Sequence, residues 1–243
     1  MPAGLQVFNN GGVLQITESY KNYLFESKLT LTGVINLVFP RNGWFYQIVA
    51  PNDSMIAFRP SPGIDVGLYA TTIGATTTTY EFVSPTTGPD NPVCSFYIFS
   101  VTKSPPSVKY GLEIYAANGT LAFSSNNQYM KPIFTWSGQD YQADVYANET
   151  PYGKLMYAGA GPNMAVTVAG PAGVYVMSAF SDGDGTTWWD EDIYSCAYAF
   201  VNDSLYMQDV SAGGRSGQFQ GTITQGGYYY SQYYGMMVDI TGL

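Results

Sequence analysis

Residues 4–16 read Gly4-Leu5-Gln6-Val7-Phe8-Asn9-Asn10-Gly11-Gly12-Val13-Leu14-Gln15-Ile16. Sliding the chain along itself lays them over Gly111-Leu112-Glu113-Ile114-Tyr115-Ala116-Ala117-Asn118-Gly119-Thr120-Leu121-Ala122-Phe123. Gly4 meets Gly111, Leu5 meets Leu112, Gly12 meets Gly119 and Leu14 meets Leu121, while apolar residues meet at Val7/Ile114, Phe8/Tyr115 and Ile16/Phe123. In each copy apolar residues alternate on both sides of a glycine-containing turn, the pattern of an antiparallel hairpin whose turn needs a positive φ. One hairpin used twice predicts an internal duplication of the whole chain. The expected architecture is all-β, two tandem antiparallel β-sandwich domains, with a first unit over 1–106 and a second over 107–243. The boundary falls near Pro105-Pro106, where consecutive prolines stiffen the chain and force extended geometry.

Working outward from the hairpins, the clear periodicity is two. Leu29, Leu31 and Gly33 alternate with Thr30 and Thr32, and WFYQIVA and CSFYIFSV contribute further strands. Val174 to Phe180 is apolar at successive positions, as expected of a strand covered on both faces. Pairs such as Asn42-Gly43, Pro62-Gly63 and Gly88-Pro89 punctuate these runs. No capped segment of helical period is long enough to place a helix.

Weaker echoes continue the duplication. Met55 in DSMIAFRPSPG matches Met164 in PNMAVTVAGPAG, and Tyr234-Gly235-Met236 echoes Tyr110-Gly111-Leu112. Each unit also carries one cysteine opening an aromatic strand, Cys94 and Cys196. The expectation is two free thiols in equivalent places of two separate cores, acting as small hydrophobes.

Composition excludes several chemistries. The chain has 243 residues, with 11% charged, less than half the roughly 25% of an ordinary soluble domain. It contains no histidine, which removes Ser-His-Asp and Cys-His mechanisms, His-ligated zinc and histidine pH switches. Nine Lys and Arg face 18 Asp and Glu, net −9, and no basic cluster is present to neutralise phosphates, so no nucleic-acid partner is expected. The start shows no basic region followed by an apolar run, and no stretch is apolar for 18 residues. Synthesis in a cytoplasm and no membrane insertion are therefore the expectation.

The charge is unevenly divided. In residues 1–110, Lys21, Lys28, Arg41, Arg59, Lys103 and Lys109 balance Glu18, Glu26, Asp53, Asp65, Glu81 and Asp90. Residues 111–243 hold three basic and twelve acidic residues and carry the whole net charge. A nearly uncharged surface favours association, so the first unit is expected to dock into an assembly and the acidic one to face solvent or a cationic partner.

Three groups are candidate sites. Asp182, Asp184 and Asp190, with Glu191 and Asp192, supply the oxygen ligands that Ca²⁺ takes, although the spacing departs from the EF-hand loop and a solvated acidic loop is the simpler reading. Trp188 and Trp189 within that loop offer apolar faces to a sugar ring, while adjacent tryptophans in a strand would point to opposite sides and leave one in the core. Tyr228, Tyr230, Tyr233 and Tyr234, in GGYYYSQYYG, suit either a strand whose outer face meets another protein or an ordinary edge strand with solvated hydroxyls. Nothing selects a pair of catalytic carboxylates, so no enzyme, catalytic residue or cofactor is expected.

The opening Gly4–Ile16 and its copy at Gly111 resemble the start of a family of tail proteins of tailed bacteriophages, which open with a Gly-Leu-hydrophobic-aromatic-Asn strand, a glycine turn and a second strand. This chain departs from the family in carrying two such openings. The resemblance implies a virion structural protein at or near the tail tip or central fibre, in multiple copies within a symmetric assembly of other tail proteins. The alternative it leaves open is a receptor-binding module that grips a glycan or protein on a bacterial surface.

Overall fold

The computed structural model describes residues 6–8, 14–17, 23–38, 41–101, 112–115, 119, 121–125, 127–138, 153–181, 187–219, 226–230 and 233–243. They contain no helix and form strands throughout. Two stand apart as hairpins: β1 (Gln6–Phe8) with β2 (Leu14–Thr17), and β10 (Glu113–Tyr115) with β11 (Leu121–Ser124). These are the two copies of the opening motif. Gly119 in the second takes φ +80°, the left-handed conformation its turn was expected to need.

The remaining strands form two sheets. In the first half of the chain these are β3 (Tyr23–Thr32), β4 (Val34–Asn36), β5 (Gly43–Pro51), β6 (Ser54–Pro60), β7 (Val66–Ile73), β8 (Thr77–Ser84) and β9 (Val93–Val101). The second half supplies β12 (Lys131–Gly138), β13 (Lys154–Ala158), β14 (Met164–Val168), β15 (Gly173–Ser181), β16 (Thr187–Val201), β17 (Ser204–Phe219), β18 (Gly226–Tyr230) and β19 (Tyr233–Asp239). A six-stranded sheet runs β12-β19-β14-β6-β9-β3, and a larger one runs β13-β17-β16-β7-β8-β5-β4, with β15 pairing β16 and β18 beside it. Every ladder is antiparallel, as the short turns allow. The β16–β17 turn is the clearest: Asn202 and Asp203, both at positive φ (46° and 55°), close a two-residue loop of the type that matches strand twist.

The all-β, sandwich-like class is therefore observed, but the expectation of two self-contained cores is corrected. β14 pairs β6, and β16 pairs β7, so each sheet is continuous between the halves. One core lies between the layers and draws on both halves: Phe58 and Phe96 from one sheet, Tyr46, Phe82 and Tyr198 from the other. Phe82 sits 5.0 Å from Phe96 and 5.1 Å from Phe58, ring centre to ring centre, in tilted contacts that lock the layers together. Each such aromatic pair adds about 0.5–1.5 kcal/mol beyond the area it buries. The alternation explains the layering: in β5, Trp44, Tyr46, Ile48 and Ala50 are buried while Gln47 and Val49 face out.

The cysteines also depart from expectation in place, though not in state. Both are free and buried. Cys94 opens β9 in one sheet, however, and Cys196 lies within β16 in the other, both facing the same core. They are not equivalent positions of two units.

Candidate functional site

Trp188, Trp189 and Asp190 were expected in a loop and are instead found in β16. Trp189 occupies a register row with Ala179 and Gly217, and Trp188 the next row, with Phe180 and Gln218. Asp190 stands three residues along β16 from its end at Thr187, about 10 Å at the ordinary strand rise. Asp182 and Asp184 lie outside the described residues, and no cluster of metal-binding side chains occurs among the described ones.

Tyr228 and Tyr230 lie in β18, paired with Tyr175 and Gly173 of β15. Pairing then runs from β15 to the first half of β16 and on to the second half of β17. The strands β18, β15 and these parts of β16 and β17 make a four-stranded arm that continues the larger sheet beyond its pairing with β7. Among the described residues the first half has nothing comparable: β6 joins β7 through 61–65, and β8 joins β9 through 85–92. The topology thus gathers Trp188, Trp189, Asp190, Tyr228 and Tyr230 onto one appendage of one half, which their scattered sequence positions did not reveal.

Tyr233 and Tyr234 lie apart from that arm, on β19. Tyr233 is buried and Tyr234 is 52% exposed, so of the two only Tyr234 offers a surface. Tyr233 borders a recess of about 10 Å³, room for at most one water, lined also by Leu68, Val168, Cys196 and Tyr198. The Lys154 ammonium donates to the Tyr233 hydroxyl at 3.5 Å, and the Trp136 indole N–H to the Tyr198 hydroxyl at 3.4 Å. Burial drives the Tyr198 hydroxyl well above its ordinary range, with the neighbouring Cys196 adding to the effect. Burial also pushes the Cys196 thiol up to about 12 and holds the Cys94 thiol well above its usual value. A thiolate is the nucleophilic form, so neither cysteine is poised for chemistry.

The outer face of the larger sheet carries a feature that composition did not expose. Arg41 Nη2 donates to both Glu81 carboxylate oxygens at 2.7 Å, with the guanidinium 5.3 Å from the Phe45 ring centre and Phe45 edge-to-face with Tyr69 at 5.3 Å. Beside Phe45, across the ladder, is Val34 on the edge strand β4. Val34 is 71% exposed and Val38, in the following turn, 76%; Ile35 and Leu37 are exposed between them. A charge-free run, Gly33 to Val38, is what marks this edge in the sequence. Natural edge strands are ordinarily protected by charges, prolines or bulges, and the β4 ladder has none of them.

Compared with known family models, curated proteins and solved structures, the chain matches none.

Proposed function

We propose that the protein is a non-enzymatic structural subunit of a bacteriophage tail, docking at or decorating the tail tip or central fibre region in multiple copies. The observation that carries this reading is the β4 edge. Among the described residues no strand pairs its outer side, and exposed Val34, Ile35, Leu37 and Val38 there form apolar surface that another protein would bury. Those residues lie in the electrically balanced half of the chain, where association meets little charge repulsion. The duplicated opening hairpin, which resembles that of tail proteins, supports the same assignment. Electron cryomicroscopy of intact particles tests it: density for this fold at the tail supports the reading, and particles lacking the chain overturn it.

A second reading is favoured by the four-stranded arm. An appendage that, among the described residues, only one half carries, holding Trp188, Trp189, Tyr228 and Tyr230, suits a receptor-binding module that contacts a bacterial surface glycan or protein. A glycan array separates the readings: sugar binding abolished by Trp188→Ala or Trp189→Ala supports the receptor module, and no binding by the folded protein removes it.

A further inference from the structure

We propose that the interface between the two halves is a self-association interface, and that the sandwich is a fused dimer with a pseudo-two-fold axis through the Phe58–Val166 pair. This inference stands apart from the tail assignment. The six-stranded sheet reads β12-β19-β14 and then β6-β9-β3, so a half-turn about the central antiparallel β6–β14 ladder carries β6 onto β14, β9 onto β19 and β3 onto β12. The larger sheet repeats the relation about β7–β16: β7-β8-β5 on one side, β16-β17-β13 on the other.

The equivalence extends to the paired residues beside the axis. Phe58 pairs Phe96 and its counterpart Val166 pairs Met237, all four in the inter-sheet core. Ala57 pairs Tyr97 and Ala165 pairs Val238, all four in the apolar cluster on the opposite face of that sheet. Each outer strand carries one bulge, at Glu26 between Phe25 and Ser27 of β3 and at Ile133 between Pro132 and Phe134 of β12, two residues out of step in this alignment. The opening hairpins agree more closely still. Gln6↔Thr17, Val7↔Ile16 and Phe8↔Leu14 correspond to Glu113↔Ser124, Ile114↔Phe123 and Tyr115↔Leu121, with the register shift at the same place. In this alignment Cys94 corresponds to Gly235, and Ile56, not Met55, corresponds to Met164. Chance has no reason to reverse strand order in two sheets at once and to keep the burial pairs, whereas two copies of one unit joined edge to edge must do both.

The symmetry makes the connection from Val101 to Glu113 equivalent to one from Gly242 back to Gln6. A circular permutant tests this with every residue retained. It begins within 102–111, runs to Leu243, passes through a copy of 102–111 to Met1 and ends at Val101. The expected result is a monomer with an unchanged far-UV spectrum and a Tm within about 4 °C of the native chain, the shift that roughly 1 kcal/mol produces at this size. A companion chain, with a protease site inside 102–111, is cut after folding, and its halves should elute as one particle. If the cut chain holds together while the permutant fails to fold, the two-fold relation is overturned. If the cut halves separate, the interface itself is.

Discussion

Tyr233 packs directly against the α-carbon of Gly138, its partner across the β12–β19 ladder: a β-carbon built on Gly138 would fall 2.2 Å from Cζ of the ring. Two residues along, the roles exchange. Trp136 lies over Gly235, where a β-carbon would meet the indole at 2.4 Å. Aromatic side chains thus cover two strand glycines reciprocally and seal the end of the core beside Tyr198. Gly138→Ala and Gly235→Ala should each cost about 1–3 kcal/mol through overpacking, whereas Gly161→Ala, where the space is open, should stay within about 0.5 kcal/mol. Urea unfolding midpoints of the three variants check this, and equal midpoints would contradict it.

Gly67 stands at the joint between the halves in the larger sheet, paired with Ala197. A β-carbon there would lie 2.3 Å from the Cys196 carbonyl oxygen, which is backbone and has little room to give. Gly67→Ala should therefore lie at the upper end of the overpacking range, about 3 kcal/mol. Scanning calorimetry should show the whole chain melting earlier in one transition, because both halves share the core; a shift confined to a separate early transition would count against that.

Asp65 and Asp239 should respond to pH in opposite senses. Burial raises the Asp65 carboxyl, with Gln208 opposing the effect through a hydrogen bond. Its favourable contribution is fully present below the unfolded carboxyl pKa and is lost as pH rises through the native value. Asp65→Asn should accordingly raise Tm near neutral pH and change it little at about pH 3. At Asp239 burial also raises the pKa, but the hydrogen bonds from Thr241, including the 2.8 Å bond from its amide, and Lys131 at 3.9 Å outweigh it and leave the carboxyl lowered. That contribution is present above the unfolded pKa and disappears as pH falls through the native one, so Asp239→Asn should lower Tm near neutrality and not in acid. Melting curves of both variants across the acid range decide the signs.

The thiols should be silent until the protein unfolds. With Cys196 raised to about 12 by burial and Cys94 also well above its usual range, almost no thiolate exists at neutral pH in the native state. Ellman's reagent should find two slow thiols in native protein and two fast ones in denaturant. Rapid labelling of either cysteine under native conditions would contradict their placement in the core.

Charging the β4 edge should separate stability from assembly. Val34→Lys and Val38→Asp change residues that are 71% and 76% exposed, so stability should move by no more than about 0.5 kcal/mol. On the proposed tail assignment, incorporation into particles, measured by immunoblot of purified virions, should fall sharply. Normal incorporation of both variants would remove the edge from the proposed docking surface.

Local pattern was enough to predict strands such as WFYQIVA and CSFYIFSV and the hairpins at Gly4 and Gly111, because side-chain alternation and turn glycines are properties of neighbouring residues. The candidate residues were only partly legible. Trp188 and Trp189 sit among Asp and Gly residues that look like a loop, yet fifteen consecutive residues of β16 hold them in a ladder with partners on both sides. The β4 run Val34-Ile35-Asn36-Leu37-Val38 was not legible as a surface, because consecutive apolar residues ordinarily signal burial and only the finished sheet shows which strand is left at an edge.

From its own order the chain determined its all-β class, the repetition of one hairpin motif and the absence of histidine from any chemistry. Whether the two halves of the chain would stand side by side or interlock was decided only in three dimensions. Edge pairing between β6 and β14, and between β7 and β16, links residues more than a hundred positions apart, and no local pattern carries that choice. It is made by the burial available when two open sheet edges, each unstable alone, close on one another over a common core.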